Sequence, residues 1–463
     1  MNLLPLSTTI AASAAGSSSS GAGAGAGAAD ELDGRIWRRL PQPLLDRVLA
    51  FLPPPAFFRF RSVSRRFYSL LFSDAFLRSH LLLSPRFFWF AFFLLPPLSP
   101  SSASSSAASS SSSALLPPPP SSSSSSSSLP PPHNIALLLD PATLCWYRIP
   151  LSSLVPQSFS PAAASGGLLC FLSDCSGPKT LLLVNPISKI AACLPPTPTP
   201  RLFPAAALSV GPSSITAVVA GDDLISPFAV KNLTSETFLA DAATGFYSPW
   251  TGPPSPLPRL CNIDPSRMAF AANRFYCMSS SPFAVLVYDV AANAWSKLQP
   301  PMRRFLRSPS IVELDDAREG GGGDGGGKIA LVAAVEKSRL SVPRSVRVWA
   351  LQACGRAWAE ADRMPADVHA RFCAAEAGRG FECVANGGVI AFTIKAAAAA
   401  AAAEVLLFDS IRKEWQWAPP CPFVAPYGGS RALRGFAYEP RLATPAIGLL
   451  DSSLSLSFQG FSG

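Results

Sequence analysis

The chain has little charge: only 14% of its 463 residues are Asp, Glu, Lys or Arg. Histidine is scarcer still, with His80, His133 and His369 far apart. The ten cysteines (145, 170, 175, 193, 261, 277, 354, 373, 383 and 421) form no C-x-x-C pair, and none stands next to a histidine. Metal sites need paired ligands at fixed spacing, so no metal is expected, and the thiols are expected buried and reduced in the nucleus or, as a second compartment, the cytosol. Long apolar runs are also missing. The best, Phe87 to Leu95, has nine residues between prolines, against the roughly 18–20 needed to span a bilayer. It predicts a buried strand and no membrane association. The first 30 residues carry no Lys or Arg, so neither a secretory nor a transit peptide is expected.

Catalytic constellations are absent in the same way. Asp222 and Asp223 are adjacent, and consecutive residues on a strand point apart. The glycine tract at 320–327 lacks the lysine–hydroxyl pair of a phosphate loop, and the histidines are too few for a copper-type oxidase site. No catalytic residue and no cofactor are expected. The net charge of +9 is moderate for this length and suggests anionic neighbours without requiring nucleic acid.

What the chain does have is low-complexity sequence, one proline-edged helical stretch and a repeat. Residues 1–32 and 453–463 read as disordered tails and 96–132 as a disordered Ser/Pro insert, because such compositions cannot offset the entropy of ordering. Within 40–72, Leu44, Leu45, Val48, Leu49 and Leu52 recur at helical spacing. Pro41 and Pro43 stand where a helix can begin, and Pro53 to Pro55 end it. A second run, Ala56 to Phe60, and a third behind Ser64 as N-cap follow, reaching about Arg78. Helices this short cannot bury so many leucines and phenylalanines among themselves, so part of the apolar surface should await a partner.

The residues Leu40-Pro41, Leu44-Leu45, Val48-Leu49, Leu52-Pro53 and Arg61-x-Val63-Ser64-Arg65-Arg66-Phe67 resemble an F-box. That resemblance implies a small all-α module over 33–80 that docks on the Skp-family adaptor of a cullin ubiquitin ligase. The contacts it implies are Leu40, Pro41, Leu44, Leu45, Val48, Leu49, Leu52, Pro53, Val63 and Phe67. Phe67 stands where the motif usually has tryptophan, which keeps the apolar anchor and loses the indole N–H.

From residue 133 onward an apolar strand ends in an acid, a turn follows, and a tryptophan stands six residues beyond the acid: Asp140 and Trp146, Asp289 and Trp295, Asp409 and Trp415. Weaker copies end at Asn185, Asp241 and Leu351. The intervals lie near the roughly 50-residue kelch period. Each unit reads as a small antiparallel sheet whose acid bonds its own turn and whose tryptophan covers a neighbour. The expected fold over 81–452 is therefore an all-β, kelch-type β-propeller of six blades, with the strand at 87–95 leaving room for a seventh.

Two basic groups, Arg303, Arg304 and Arg307, and Lys337, Arg339, Arg344 and Arg347, fall between predicted strands, where propellers present binding surfaces. They are candidates for facing a client protein and its DNA. Finally, Asp33 to Trp37, Leu52 to Arg59, Gly221 to Leu233, Pro301 to Pro309 and Leu331 to Ser338 are similar to plant F-box proteins of the Unusual Floral Organs and Aberrant Panicle Organization type. The resemblance implies a substrate-recruiting SCF subunit partnering a LEAFY-type transcription factor in floral meristem and inflorescence development, touching DNA only through that partner. A transcriptional cofactor acting without ubiquitination is the alternative.

Overall fold

The computed structural model describes residues 40–94, 134–201, 204–222, 233–248, 250, 255–257, 263, 268–280, 283–302, 305–314, 327–336, 343–395, 404–424 and 432–450. The tails, the Ser/Pro insert and the alanine tract at 396–403 lie outside the described residues, as do Arg303, Arg304, Lys337 and Arg339.

Prolines and serines set the helix edges. Helix α1 (Gln42–Ala50) starts directly after Pro41, and Pro53 precedes α2 (Pro54–Arg61). The Ser64 hydroxyl accepts the Phe67 N–H at 3.1 Å to cap α3 (Arg65–Ser69), and a 3-10 turn, Leu70–Phe72, follows. Ser73 caps α4 (Asp74–Leu83), which runs past Arg78 because Phe76 and His80 are buried on its inner side.

The rest forms six antiparallel sheets, which are the six blades of a propeller. Blade 1 combines β1 (Trp89–Leu94), β2 (Ile135–Asp140) and β3 (Cys145–Pro150) with the last strand of the chain, β25 (Leu433–Tyr438). Blades 2 to 6 follow in sequence as β4–β7 (within 159–193), β8–β11 with β12 alongside (within 205–256), β13–β16 (within 269–298), β17–β20 (within 306–363) and β21–β24 (within 381–417). The stretch at 87–95 thus supplies no seventh blade. Its described strand, β1, pairs with β25 on one side and β2 on the other, and all six of its residues are buried. The innermost strands surround a cavity of about 130 Å³ lined by small apolar side chains such as Ala164, Ala385 and Ala437, with Glu313 as its carboxylate. Ligand pockets usually occupy ~300 Å³ or more.

The acid-turn-tryptophan unit does what its spacing predicts. Asp140 Oδ1 accepts the Ala142 N–H at 3.0 Å, Asp241 that of Ala243 at 2.9 Å, Asp289 that of Ala292 at 3.0 Å and Asp409 that of Ile411 at 2.9 Å; Asn185 does the same for Ile187 at 2.9 Å. Four residues after each anchor the backbone turns left-handed, at Leu144, Lys189, Gly245, Asn293, Gly355 and Lys413. Leu351 has no side-chain acceptor, and its turn is two residues longer, closed by the Gln352 N–H on the Ala357 carbonyl at 2.9 Å. The indoles reach across blades. Trp146 Nε1 donates to the Pro419 carbonyl of blade 6 at 2.8 Å, Trp295 to the Ser235 hydroxyl of blade 3 at 2.7 Å, and Trp358 to the Gln299 carbonyl of blade 4 at 2.9 Å. Trp250, which the pattern missed, donates to Pro195 at 2.9 Å. Trp415 instead stacks on Phe408 at 4.3 Å within its own blade.

One element was not expected. Helix α5 (Ala366–Glu376) lies in the link between blades 5 and 6, where Phe372 packs against Phe381 and Phe392.

Replacing Trp146 with Phe keeps most of the ring that meets Phe92 at 5.4 Å but leaves the Pro419 carbonyl unmet. A lost hydrogen bond of this kind costs about 1–2 kcal/mol. The expected result is a fall of a few degrees in Tm by calorimetry, and a clearly larger fall for Trp146→Ala.

Candidate adaptor-binding surface and the opposite face

On α1 the apolar residues divide into two stripes. Leu45, Leu49 and Leu52 turn inward; Leu49 is 3% exposed and shares a core with Ala50, Phe57, Leu70 and Phe76. Leu44, Val48 and Phe51, at i, i+4 and i+7, form the outer stripe with 44%, 41% and 55% exposure. Val63, Phe60, Tyr68, Phe72 and Leu82 are also exposed. Of the residues read as adaptor contacts, Pro41, Leu44, Val48, Pro53 and Val63 therefore stand on the surface. Leu40, Leu45, Leu52 and Phe67 are half-buried, and Leu49 supports the others from inside. Phe51, Tyr68 and Phe72, which the sequence reading did not name, are exposed beside them, and Phe51 continues the spacing of Leu44 and Val48. Arg66 of α3 holds Asp46 of α1 at 2.5 Å and fixes the outer stripe against its neighbour.

This module is seated on the propeller by both ends of the chain. Leu442, just beyond β25, completes the helical core, and Ile187 from a turn of blade 2 packs against it. Glu439 takes Arg86 at 2.5 Å and Arg441 at 2.5 Å. Burial alone would raise the Glu439 carboxyl, but the hydrogen bond from Arg86 and the two guanidinium charges hold it below the usual carboxylate range. Asn185 donates to the Arg441 carbonyl at 3.0 Å, and Asn386 to those of Trp89 and Tyr438 at 2.7 and 3.1 Å. Phe88 lies where a Cβ on Gly387 would be, 2.2 Å from its ring carbon, so only glycine fits that turn.

Antiparallel order then sorts the loops. Because β25 ends and β1 begins at the helical module, the turns joining first to second and third to fourth strands share its face. The links from second to third strands, and from blade to blade, open on the other. That distal face receives the strand ends bracketing 223–232 and 337–342, and helix α5. Buried ion pairs root these loops. Arg201, fully buried, donates to the Gly221 carbonyl at 2.7 Å and the Thr234 carbonyl at 2.9 Å and lies 3.4 Å from Glu236. Arg307 pairs with Glu376 of α5 and lies 3.9 Å from Glu336. Asp222 pairs with Leu233 in the β-ladder at the base of one such loop, and Asp223 lies outside the described residues.

The described members of the two basic groups read as client-facing are thus differently placed. Arg307 is engaged in the propeller's own ion pairs. Arg347, in mid-strand on β19 (Pro343–Leu351), holds Glu360 of β20 (Trp358–Arg363) at 2.9 Å. Arg344 lies at the distal start of the same strand.

His80 offers a titration at the module's seat. It is buried among Phe57 and Phe76, and burial, helped by the Arg441 charge, lowers its pKa to about 4. A histidine with a depressed folded pKa stabilises the fold above its unfolded pKa of about 6.5, and that contribution is lost as pH falls from there toward about 4. Denaturant unfolding from pH 7.5 to 4.5 is expected to show the seat weakening below 6.5, with a flatter profile in His80→Leu.

The F-box domain model matches residues 37–79, the span whose outer stripe is described above. Across the whole chain, ABERRANT PANICLE ORGANIZATION 1 of Oryza sativa subsp. japonica is 55% identical over 448 residues, covering 94% of this chain and 95% of that protein. UNUSUAL FLORAL ORGANS of Arabidopsis thaliana is 45% identical over 465 residues, covering 99% and 97%. Among solved structures, TolB from Acinetobacter baumannii aligns with a TM-score of 0.38 at 11% identity, over 81% of this chain and 73% of that one. No helix among the described residues is long and apolar enough to cross a membrane. An F-box implies binding to a Skp-family adaptor in an SCF complex, and F-box proteins are in general substrate adaptors. The chain belongs to the F-box protein family of UNUSUAL FLORAL ORGANS and ABERRANT PANICLE ORGANIZATION 1.

Proposed function

We propose that this chain is the substrate-recruiting, non-catalytic subunit of a nuclear SCF ubiquitin ligase, acting with a LEAFY-type transcription factor in floral meristem and inflorescence development. The outer stripe Leu44, Val48 and Phe51 takes the Skp adaptor, which carries the cullin. The distal face takes the client, and ubiquitin transfer belongs to other subunits. The observation that carries this reading is the pairing of an uncovered apolar stripe on one face with rooted, elaborated loops on the other. The gain is proximity, since a tethered client meets the charged conjugating enzyme at high effective concentration.

The test is a full-chain double variant, Leu44→Asp with Val48→Asp. Both side chains are exposed, so Tm should stay within about a degree or two of wild type, because surface substitutions usually change stability by less than about 0.5 kcal/mol. Adaptor affinity, measured by interferometry, should fall at least tenfold, since charges in an apolar interface centre cost more than about 1.4 kcal/mol. Removing 33–78 altogether is a poorer test, because it strips the cover from Leu442. Unchanged adaptor binding in the double variant would sink the ligase reading. Promoter activation retained by a variant that has lost the adaptor would favour the cofactor alternative.

A further inference from the structure

Charge is unevenly shared between the two parts of the molecule. Residues 40–86, the helical module and its link to the propeller, hold seven arginines, two acids and no lysine, a net +5 out of the chain's +9. The ten residues before them, 30–39, carry three acids and three arginines, so the excess is the same over 30–86. Two of the seven are matched: Arg66 by Asp46 and Arg86 by Glu439, each at 2.5 Å. Arg47, Arg59, Arg61, Arg65 and Arg78 form no ion pair with a described residue.

Three of these five lie among the exposed apolar residues. Arg47 stands at i+3 from Leu44 and i−4 from Phe51, on the face of α1 that also carries Val48, and it is exposed. Arg65 is exposed at the start of α3, next to the Arg66 that binds α1. Arg61 ends α2 with its guanidinium 4.6 Å from the centre of the Tyr68 ring and 5.5 Å from that of Phe58. Its Nη2 donates to the Tyr68 carbonyl at 3.3 Å. Its Nε is buried with no acceptor among the described residues, and burial disfavours its charge. Stacking thus holds a half-buried cation beside the exposed Val63 and Tyr68, where an anion from outside would satisfy it.

We infer that the adaptor surface receiving Leu44, Val48 and Phe51 is rimmed with carboxylates, which meet Arg47, Arg61 and Arg65 and steer the two proteins together. The inference deepens the proposed function and rests on it. Charges of one sign around an apolar patch speed encounter with a surface of the opposite sign and fix its register. A protein is favoured over nucleic acid because the arginines are interleaved with the apolar stripe. Phosphates and sugars would leave Leu44, Val48 and Val63 against polar groups, whereas an apolar groove with a carboxylate rim suits both kinds of side chain. Arg61, already stacked, loses little freedom on taking a carboxylate with both prongs of its guanidinium.

The test is stopped-flow association of the full chain with purified Skp adaptor between about 0.1 M and 1 M salt, over which the Debye length falls from about 10 Å to about 3 Å. The wild-type association rate should fall at least tenfold across that range. Arg47→Glu with Arg65→Glu should associate at least tenfold more slowly at low salt and show a flat salt profile, with Tm unchanged because both positions are exposed. Arg61→Lys, which keeps the charge and loses the fork, should dissociate faster. Arg356→Glu with Arg363→Glu, at exposed positions of blade 5, makes the same change in net charge and should associate within about twofold of wild type. A salt-independent wild-type rate, equal slowing by both charge reversals, or unchanged dissociation of Arg61→Lys overturns the inference and leaves the proposed function standing. Unchanged adaptor kinetics in Arg47→Glu with Arg65→Glu, together with lost binding to a DNA duplex, means that the arginines face nucleic acid, and also overturns it. A wild type that does not bind the adaptor removes the proposed function, and the inference with it.

Discussion

Closure of the ring by β25 against β1 is the pairing on which everything else depends. Six consecutive positions, from Trp89 with Tyr438 to Leu94 with Leu433, join the first and last strands of the propeller. Without them β1, with four aromatic residues among six, would be an exposed apolar edge, a template for aggregation. Closure also decides where the F-box sits. It brings residues 84–88 and 439–442 to one point on one face, so the seat of the helical module can be built from both ends of the sequence. Arg86 meeting Glu439 and Leu442 completing the core of α1 are consequences of that single pairing. The cost is kinetic, since a contact spanning nearly the whole propeller forms only after a large loop closes.

What could be read from the sequence was what is local. The prolines around α1, the Ser64 cap, and the acid with its turn and tryptophan are relations within six residues, and each appears in the fold at its expected place. Blade 5 shows where this stops. Leu351 cannot accept a hydrogen bond, so a longer turn closed by backbone alone takes over, and only the overall rhythm marks the blade. The strand at 87–94 was legible as buried. Its membership of blade 1 was not, because its inner partner lies over 340 residues away. Helix α5 has a weak pattern because Phe372 and Glu376 are buried for different reasons, one in the core and one as the acceptor for Arg307 and Gly380.

The basic residues teach the same lesson from the other side. An arginine between strands gives no sign in the sequence of its ion partner when that partner is distant, as Glu376 is from Arg307 and Glu236 is from Arg201. Such buried pairs seldom add net stability over an apolar packing of the same volume, but a half-pair is very costly. They therefore act as locks on conformation. In this propeller both locks lie at the roots of distal loops, where a floppy attachment would be of least use to a binding surface. The apolar stripes of α1 obey a related rule: periodicity identified one broad face, and only the packing of Leu442 and Ile187 against its inner half separated buried from exposed residues.

These placements fix a direction as well as a composition. A helical module joined by a free linker would sample many orientations, and a bound client would meet the conjugating machinery only part of the time. Here the link from Leu83 to Trp89 is five residues long and is held at several points. Arg86 is paired, Phe88 fills the space above Gly387, and the Trp89 carbonyl is bonded by Asn386. With so little freedom between α4 and β1, the disc of six blades acts as a spacer of set thickness. The distal loops lie on the side opposite the stripe of Leu44, Val48 and Phe51. The five residues between α4 and β1 therefore set the orientation of the helical module on the propeller through contacts at Arg86, Phe88 and Trp89.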